Sequence, residues 1–464
     1  LHASAGGRHR RPRGGSGRGA GDPARGGGDA TLVDAAEDVG AARALLETWV
    51  APRPTARAAS GASDGPTIEA TAFAAVDLPE AEPFNISAHH SSAALRYGDR
   101  YFLKMFRRVE EGLSPELEMT RFLNVRAPGL APTVVGALQL RRGRAEPSTL
   151  AVLQAYVPNE GTAWTHAREE LHRFFERVLT RHREAAAPAP APATPLETAR
   201  AEVPAAVQEV VGAYLDVAAQ LGRRTADLHL ALASETVDPA FVPEPYLSLD
   251  RRSTYQSMRN LAGKTLRLLK SNLDRLPPRI AGPARLLAED TGRTLKVFEP
   301  ILTHRLTGLR IRIHGDYHLD QVLHAGKDFV IVDFDGAAGE TLIERRRKHS
   351  ALRDVAGMIR SFHFAAMTAL LDGSVVRDQD REAVAPWAEA WHRQISGSFL
   401  RGYLAAVGGA PFMPLPEELA LVLQTNLLEK AFQELRDELD VCGETVTIPL
   451  AAIAELVGVT PARG

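Results

Sequence analysis

Between residues 67 and 156, β-branched and aromatic positions gather into short runs set apart by turn-forming residues. Runs over 67–76, 91–97, 100–106, 134–140 and 148–156 predict five strands. Gly98-Asp99 separates the second run from the third, the chemistry of a tight hairpin turn. A basic turn over 141–144 separates the last two. One helix is predicted among them, over 115–124, opened by Ser114 as a cap and Pro115 in its first turn. Beyond Pro158 the periodicity becomes helical, with amphipathic segments over 203–233, 250–275, 283–307, 350–371, 382–406 and 416–438. A proline- and alanine-rich run over 185–195 reads as an exposed loop. The helical texture breaks once, over 311–335, where Ile311-Arg312-Ile313 and residues 329–332 form β-type runs.

This order predicts an α+β, protein-kinase-like bilobal fold. A small antiparallel β-rich N-lobe would occupy 66–157, and a large, mostly helical C-lobe 158–455. Residues 1–65 stand apart. The first 30 hold ten glycines and six arginines with two acidic residues. Such a segment buries too little surface to offset its ordering entropy, so a disordered tail is expected rather than an RGG-like arm on RNA. Val33, Ala36, Leu45, Leu46 and Trp49 then mark a short helix over 32–49, ended by Pro52 and Pro54.

Composition narrows the class. The chain has 464 residues, 45% apolar and 24% charged, enough for two lobes of an ordinary globular protein. A net charge of −2 provides no global basic field for nucleic acid or an acidic membrane. The single cysteine, Cys442, excludes an internal disulfide framework and fits a reducing cytoplasm. The segment over 203–222 is interrupted by Gln208, Glu209, Asp216 and Gln220, so no membrane span is expected.

The chemistry concentrates in the β-patch. It reads Ile313-His314-Gly315-Asp316-Tyr317-His318-Leu319-Asp320-Gln321, then Ile331-Val332-Asp333-Phe334-Asp335-Gly336. Phosphoryl transfer needs a carboxylate beside the attacking hydroxyl and ligands for the metal on the phosphates. Asp316 supplies the first. Gln321 and Asp333 supply the second as an amide oxygen and a carboxylate, which suits magnesium because that ion keeps several waters. Asp-Phe-Asp-Gly alone is a weak signal, and its pairing with His-Gly-Asp at this spacing makes it strong. His314 and His318 stand four apart, as zinc ligands on a helix would. Gly315 and the β-branched neighbours argue against that helix, which leaves both imidazoles to orient the loop. In the β-rich lobe, Lys104 lies among Phe102, Leu103 and Phe106, where an inward lysine needs a partner. The helix over 115–124 offers Glu116, with Met119, Thr120 and Leu123 on the same stripe, and Glu118, with Arg121 at +3. The pattern favours a Lys104–Glu116 pair that positions nucleotide phosphates.

Over residues 84–455 the chain resembles the maltokinase family, aminoglycoside-phosphotransferase-like kinases found alone or fused behind trehalose synthase. The likeness rests on 97–104 with Arg107-Arg108, Pro115-Glu116-Leu117-Glu118, Leu221-Gly222-Arg223-Arg224-Thr225-Ala226-Asp227-Leu228-His229, Tyr255-Gln256-Ser257-Met258-Arg259-Asn260, the His-Gly-Asp block, Arg353-Asp354-Val355-Ala356-Gly357-Met358 and Glu429-Lys430-Ala431. It implies ATP-dependent phosphorylation of maltose to maltose 1-phosphate, with ATP and Mg2+ as cofactors. Asp316, Lys104 and His314 would form the catalytic set, with Asp316 the base, and Gln321 and Asp333 the metal ligands. Lys104, Glu116, Glu118, Ser91, Ser92 and the hinge residues Gln154, Ala155, Tyr156 and Val157 would surround the nucleotide. Asp316, His318, Glu429, Lys430 and Glu434 would face the acceptor, with Trp387, Trp391 and Tyr403 as a possible aromatic platform. The chain departs from the family at 90–94 before the hairpin, at Gly161-Thr162-Ala163-Trp164, at Asp320 and at Ala337-Ala338. Alternative readings are a related kinase acting on an aminoglycoside, choline or another sugar, and a regulatory pseudokinase attached to trehalose synthase. The family's amino-terminal cap is not recognisable in 1–65, and the chain begins at Leu1. It is therefore expected to be the kinase portion of a longer polypeptide, or one lacking that cap.

Overall fold

The hairpin at Gly98 sets the register of the N-lobe. Gly98 adopts a φ of 57°, and Tyr97 faces Tyr101 across the turn. The computed structural model describes residues 38–50, 66–80, 82–88, 92–181 and 194–458. The tail over 1–30, most of the 185–195 loop and Ser91 lie outside the described residues. After helix α1 (Val39–Val50) come strands β1 (Thr67–Ala72), β2 (Pro83–Ala88), β3 (Ser92–Tyr97) and β4 (Tyr101–Phe106), helix α2 (Pro115–Arg126), and strands β5 (Val134–Arg141) and β6 (Ser148–Ala155). The strands form one antiparallel sheet in the order β1-β5-β6-β4-β3-β2. Strand β2 was not expected from its sequence. It opens on Pro83 and lies at the sheet edge, where a residue without an N–H donor is tolerated.

The period of two gives the sheet two apolar faces. Leu95, Tyr97, Leu103 and Leu153 pack against Ala42, Leu46 and Trp49 of α1. The Tyr97 hydroxyl donates to the Ala42 carbonyl at 2.7 Å, and the Trp49 indole N–H donates to the Ala137 carbonyl at 3.3 Å. Residues 39–50 therefore belong to the N-lobe, and the boundary expected at 66 moves towards the amino terminus. On the opposite face Val134, Ala137 and Val152 cover Leu117 of α2. Lys104 sits opposite Val152 in the β4–β6 ladder and so projects towards α2. Ser114 caps α2 by accepting from the Leu117 N–H at 3.3 Å, with Pro115 at the first turn.

The C-lobe runs through α3 (Ala163–Arg181), α4 (Pro195–Arg200), α5 (Ala205–Val211), α6 (Tyr214–Leu232), strand β7 (Glu244–Pro245), α7 (Ser248–Asn272), α8 (Pro278–Glu289), α9 (Thr291–Lys296) and α10 (Pro300–Thr303). Strands β8 (Leu309–Arg310), β9 (Val322–Ala325) and β10 (Asp328–Ile331) interrupt it. Helices α11 (Leu342–Arg345), α12 (Leu352–Leu371), α13 (Asp378–Val407), α14 (Pro416–Val441) and α15 (Thr447–Leu456) complete it. Two segments expected as single helices are broken. Gly212, at φ 63°, divides α5 from α6. The Asp290 side chain caps α9, and Pro300 opens α10, so 283–307 is three short pieces. No helix among the described residues is long and apolar enough to cross a membrane.

Glycines permit the close crossings on which the lobe is built. A Cβ on Gly222 of α6 would stand 2.0 Å from the Phe399 carbonyl oxygen of α13, and one on Gly402 would stand 2.2 Å from that of Ala219. Helix α12, buried almost all round, presses Gly357 against the Tyr317 carbonyl oxygen, 2.5 Å from where a Cβ would lie. Gly222→Ala and Gly357→Ala should each lower unfolding free energy in urea by about 1–3 kcal/mol or more, since backbone must move. Gly282→Ala, in open space on α8, should leave it unchanged or raise it by up to about 1 kcal/mol.

Candidate active site

Helix α12 presents one buried carboxylate, Asp354, to the loop that follows Ile313. Asp354 accepts from the N–H groups of His314 at 2.8 Å and Gly315 at 3.0 Å. It also accepts from Nε2 of buried His229 at 3.1 Å, and Nδ1 of that imidazole lies 2.9 Å from the Tyr403 hydroxyl. Gly315 has a φ of 85°, open to glycine, which lets successive N–H groups aim at one carboxylate. Tyr317 is buried with its hydroxyl 3.0 Å from Thr225, and the Leu319 N–H donates to Ser361 at 3.1 Å. The loop is thereby bonded at four points, and Asp316 projects from its middle.

Asp316 meets Lys430 of α14, whose ammonium donates to it at 3.0 Å, and His318 Nε2 at 3.7 Å. Burial pulls its pKa up, but Lys430 and His318 outweigh burial and hold the carboxyl well below the usual carboxylate range. Asp333 follows β10 with a φ of 64°, unusual for a non-glycine residue, and turns its carboxylate back towards Asp316 and Lys104. The Gln321 amide donates to Asp333 at 3.4 Å and lies 3.3 Å from His318 Nε2. Lys104 bridges the lobes. It pairs with the Asp333 carboxylate and, at 3.7 Å, with Glu116. Burial pushes the lysine pKa down, and Asp333, Glu116 and Asp335 overcome it and raise it. Glu116 is oriented by Gln154, which donates to it at 2.6 Å.

Asp333 and Gln321 are a fitting pair for Mg2+, one carboxylate and one amide able to turn its oxygen outward. The two loop histidines do not form a zinc pair. His314 donates from Nε2 to the Val332 carbonyl at 2.9 Å, whereas His318 faces Asp316 and Gln321. Among the described residues no group of three His, Cys, Asp or Glu side chains could hold a metal ion. His314 is 1% exposed, and burial lowers its pKa, so it is a neutral positioning group that ties Asp316's loop to Asp333.

Other expected site residues separate. Glu118 pairs with Arg312 and Arg346, each at 2.7 Å, on the side of α2 away from Lys104. Glu434 pairs with buried Arg360 at 2.6 Å and braces α14 against α12 beneath Lys430. Trp387, Trp391 and Tyr403 are buried in the core and offer no platform. In the hinge, the N–H groups of Ala155 and Tyr156 already bond the Thr133 and Arg100 carbonyls, each at 2.8 Å. The Val157 carbonyl accepts from Asn159 at 2.8 Å. Ser92 opens β3 opposite Phe106. Glu429 lies 3.7 Å from Arg353, and together with Gly315, Asn426 and Lys430 they line a cleft beside the loop. That cleft shares Arg353, Asn426 and Glu429 with a wider one of about 970 Å³ that reaches Tyr246 and Ser257. Sequence reasoning assigned no role to Asp354 or His229, although both lie in the segments on which the resemblance rests. The available signal was an acidic residue on an otherwise apolar helix, which burial obliges to find donors.

No protein-family profile matches the chain. A glucosamine kinase of Streptacidiphilus jiangxiensis is 27% identical over 274 residues, which is 59% of this chain and 50% of that protein. The match thus spans about half the length of this curated relative. Among solved structures, a glucosamine kinase crystal form superposes with a TM-score of 0.63 at 20% identity, covering 90% of this chain and 84% of that one. Glucosamine kinase in complex with glucosamine, ADP and inorganic phosphate gives 0.62 at 21% identity, covering 90% and 83%. The α+β, protein-kinase-like bilobal fold is therefore shared with these proteins.

The Asp354 cluster yields a direct test. Asp354→Ala strands two backbone N–H groups and a buried imidazole, and should cost about 3–5 kcal/mol in urea unfolding. Hydrogen exchange should show the amides of His314 and Gly315 losing protection in Asp354→Ala ahead of those in the N-lobe sheet.

Proposed function

We propose that this chain is an ATP-dependent kinase that phosphorylates a hydroxyl group of a sugar. One observation carries the reading. Asp316, Gln321 and Asp333 of the C-lobe converge with the Lys104–Glu116 pair of the N-lobe, and their charges are the ones phosphoryl transfer uses. When bound, ATP supplies the phosphoryl group, and Mg2+, held by Asp333 and Gln321, neutralises charge on its phosphates. Asp316, kept ionised, accepts or orients the proton of the attacking hydroxyl. Lys430 fixes the direction of that carboxylate. Lys104 exchanges Asp333 for phosphate oxygens, and Glu116 keeps its ammonium aimed. Phosphoryl transfer leaves the acceptor's C–O bond intact, so the sugar keeps its configuration.

An amino sugar of the glucosamine kind is the first candidate acceptor, supported by the sequence similarity to a glucosamine kinase and by the Glu429 carboxylate in the cleft beside Asp316's loop. Maltose, which the family resemblance implies, is the second, supported by the segments around Gly222, Tyr255 and Arg353.

ADP release should be followed with ATP/Mg2+ and glucosamine, maltose, glucose, choline and kanamycin side by side. Turnover with glucosamine or maltose is expected, and turnover confined to choline or kanamycin would reject the sugar reading. Asp316→Asn should lower kcat by about 10²–10⁴-fold while leaving the unfolding transition in place. The pH profile follows from the charges around Asp316. Its folded-state pKa is depressed by Lys430 and His318, so the base is ionised at neutral pH and its acid limb lies below the ordinary aspartate range. Lys430→Met leaves burial as the dominant influence, and the acid limb of kcat/KM should then move to higher pH.

A further inference from the structure

On the side of α2 away from Lys104, the chain forms a further concave site that shares Arg310, Arg347 and Lys348 with the wide cleft and whose charge serves no step of the proposed reaction. Its lining includes Arg310, Arg312, Arg346, Arg347 and Lys348, with Glu244 as the sole acidic side chain among the lining residues, around a pocket of about 670 Å³. Five cations in one small concavity repel one another unless anions compensate them. The protein compensates them in part. Glu244 accepts from Lys348 at 2.6 Å and from Arg310 at 3.1 Å, while Arg310 also reaches Asp250 at 2.8 Å. Glu118 accepts from Arg312 and Arg346, and Glu146 stands 3.8 Å from Arg346. Arg347 donates to Ser253 at 3.4 Å and enters no ion pair among the described residues.

Arg312 is the anomaly that points to a ligand. It is 1% exposed, yet only its Nη1 finds an acceptor, while Nε and Nη2 are buried without one. Its guanidinium centre lies 5.4 Å from the Phe241 ring, a partial substitute for hydrogen bonding. Arg310 likewise has a buried Nε with no acceptor. Guanidinium N–H groups left unsatisfied beside a basic pocket lack acceptor oxygens and negative charge, and a phosphate group supplies both.

We propose that this pocket binds an oxyanion of the phosphate or phosphate-monoester class at a site separate from the nucleotide cleft. The unpartnered N–H groups of Arg312 and Arg310 meet the anion, and Arg346, Arg347 and Lys348 complete the positive charge around it. The site adjoins Glu118 on α2, two residues from Glu116, and Arg312, two residues before His314. An occupant that draws Arg312 and Arg346 from Glu118 therefore acts on both elements that hold the candidate catalytic groups.

The test is calorimetric titration of the full chain with inorganic phosphate, at ionic strength held constant with chloride. A second titration with glucose 6-phosphate tells free phosphate from an ester as the preferred occupant. Saturable one-site binding is expected. Arg347→Gln, which removes no ion pair, should weaken it at least tenfold, and Arg346→Gln serves as an independent second variant. Lys104→Met, altered only in the nucleotide cleft, should retain wild-type phosphate affinity, whether or not the chain proves to be a kinase. Wild-type affinity in both arginine variants, loss of binding in Lys104→Met, or heat indistinguishable from a chloride control would each overturn the proposal.

Discussion

The buried carboxylate of Asp354 is the contact on which the rest of the structure depends. A charge this deep is stable only if donors converge on it, and here two loop N–H groups and one imidazole do so. Those donors come from elements far apart in sequence. Their convergence fixes α6 and α13, through His229 and Tyr403, and the loop bearing Asp316 in a single arrangement. Gly357 on the same helix lets α12 approach the backbone at Tyr317 closely enough for this geometry. Electrostatic need and steric permission thus sit within one turn of one helix.

Around that anchor the lobes are joined by charge as well as by apolar contact, which Met119, Leu123 and Leu130 make within the C-lobe core. Lys104 reaches from the sheet to Asp333, Glu118 reaches from α2 to Arg312 and Arg346, and Arg345 joins Asp335 to Glu110. The pairs of Lys104 with Asp333, of Glu118 with Arg312 and Arg346, and of Arg345 with Glu110 span the two lobes, so the interface can be re-paired when a polyanion enters. In the proposed reaction Lys104 would exchange Asp333 for phosphate, while Glu116 and Gln154 keep its aim. A cleft built from such pairs is pre-oriented without being sealed, which would suit the proposed binding of nucleotide and acceptor in turn.

Much of this was legible from local pattern. The Gly98 hairpin, the Ser114-Pro115 helix start and the inward stripe carrying Glu116 depend on residues within a few positions of one another, and each appears as expected. The spacing of Asp316, Gln321 and Asp333 was readable for the same reason, because the β9–β10 hairpin brings them together. Strand β2 escaped notice because an edge strand needs pairing on one side only and tolerates proline. Glu118 and Glu434 looked like site residues because a carboxylate's partner is invisible until the chain is folded, and their partners are Arg312 and Arg360. Trp391 and Tyr403 have the chemistry of a sugar platform and the burial of a core.

By itself, then, the sequence determined the order of lobes, most of the helices, and the residue types able to carry phosphoryl transfer, because these follow from short-range periodicity, turn chemistry and spacing. Only the tertiary structure decided which charges meet. It joined α1 to the N-lobe sheet, gave Asp316 to Lys430 and Asp354 to the loop, and gathered Arg310, Arg312 and Arg346–Lys348 around a common pocket. Electrostatic pairing in a folded chain depends on distance and burial, and neither is a property of any local stretch of sequence.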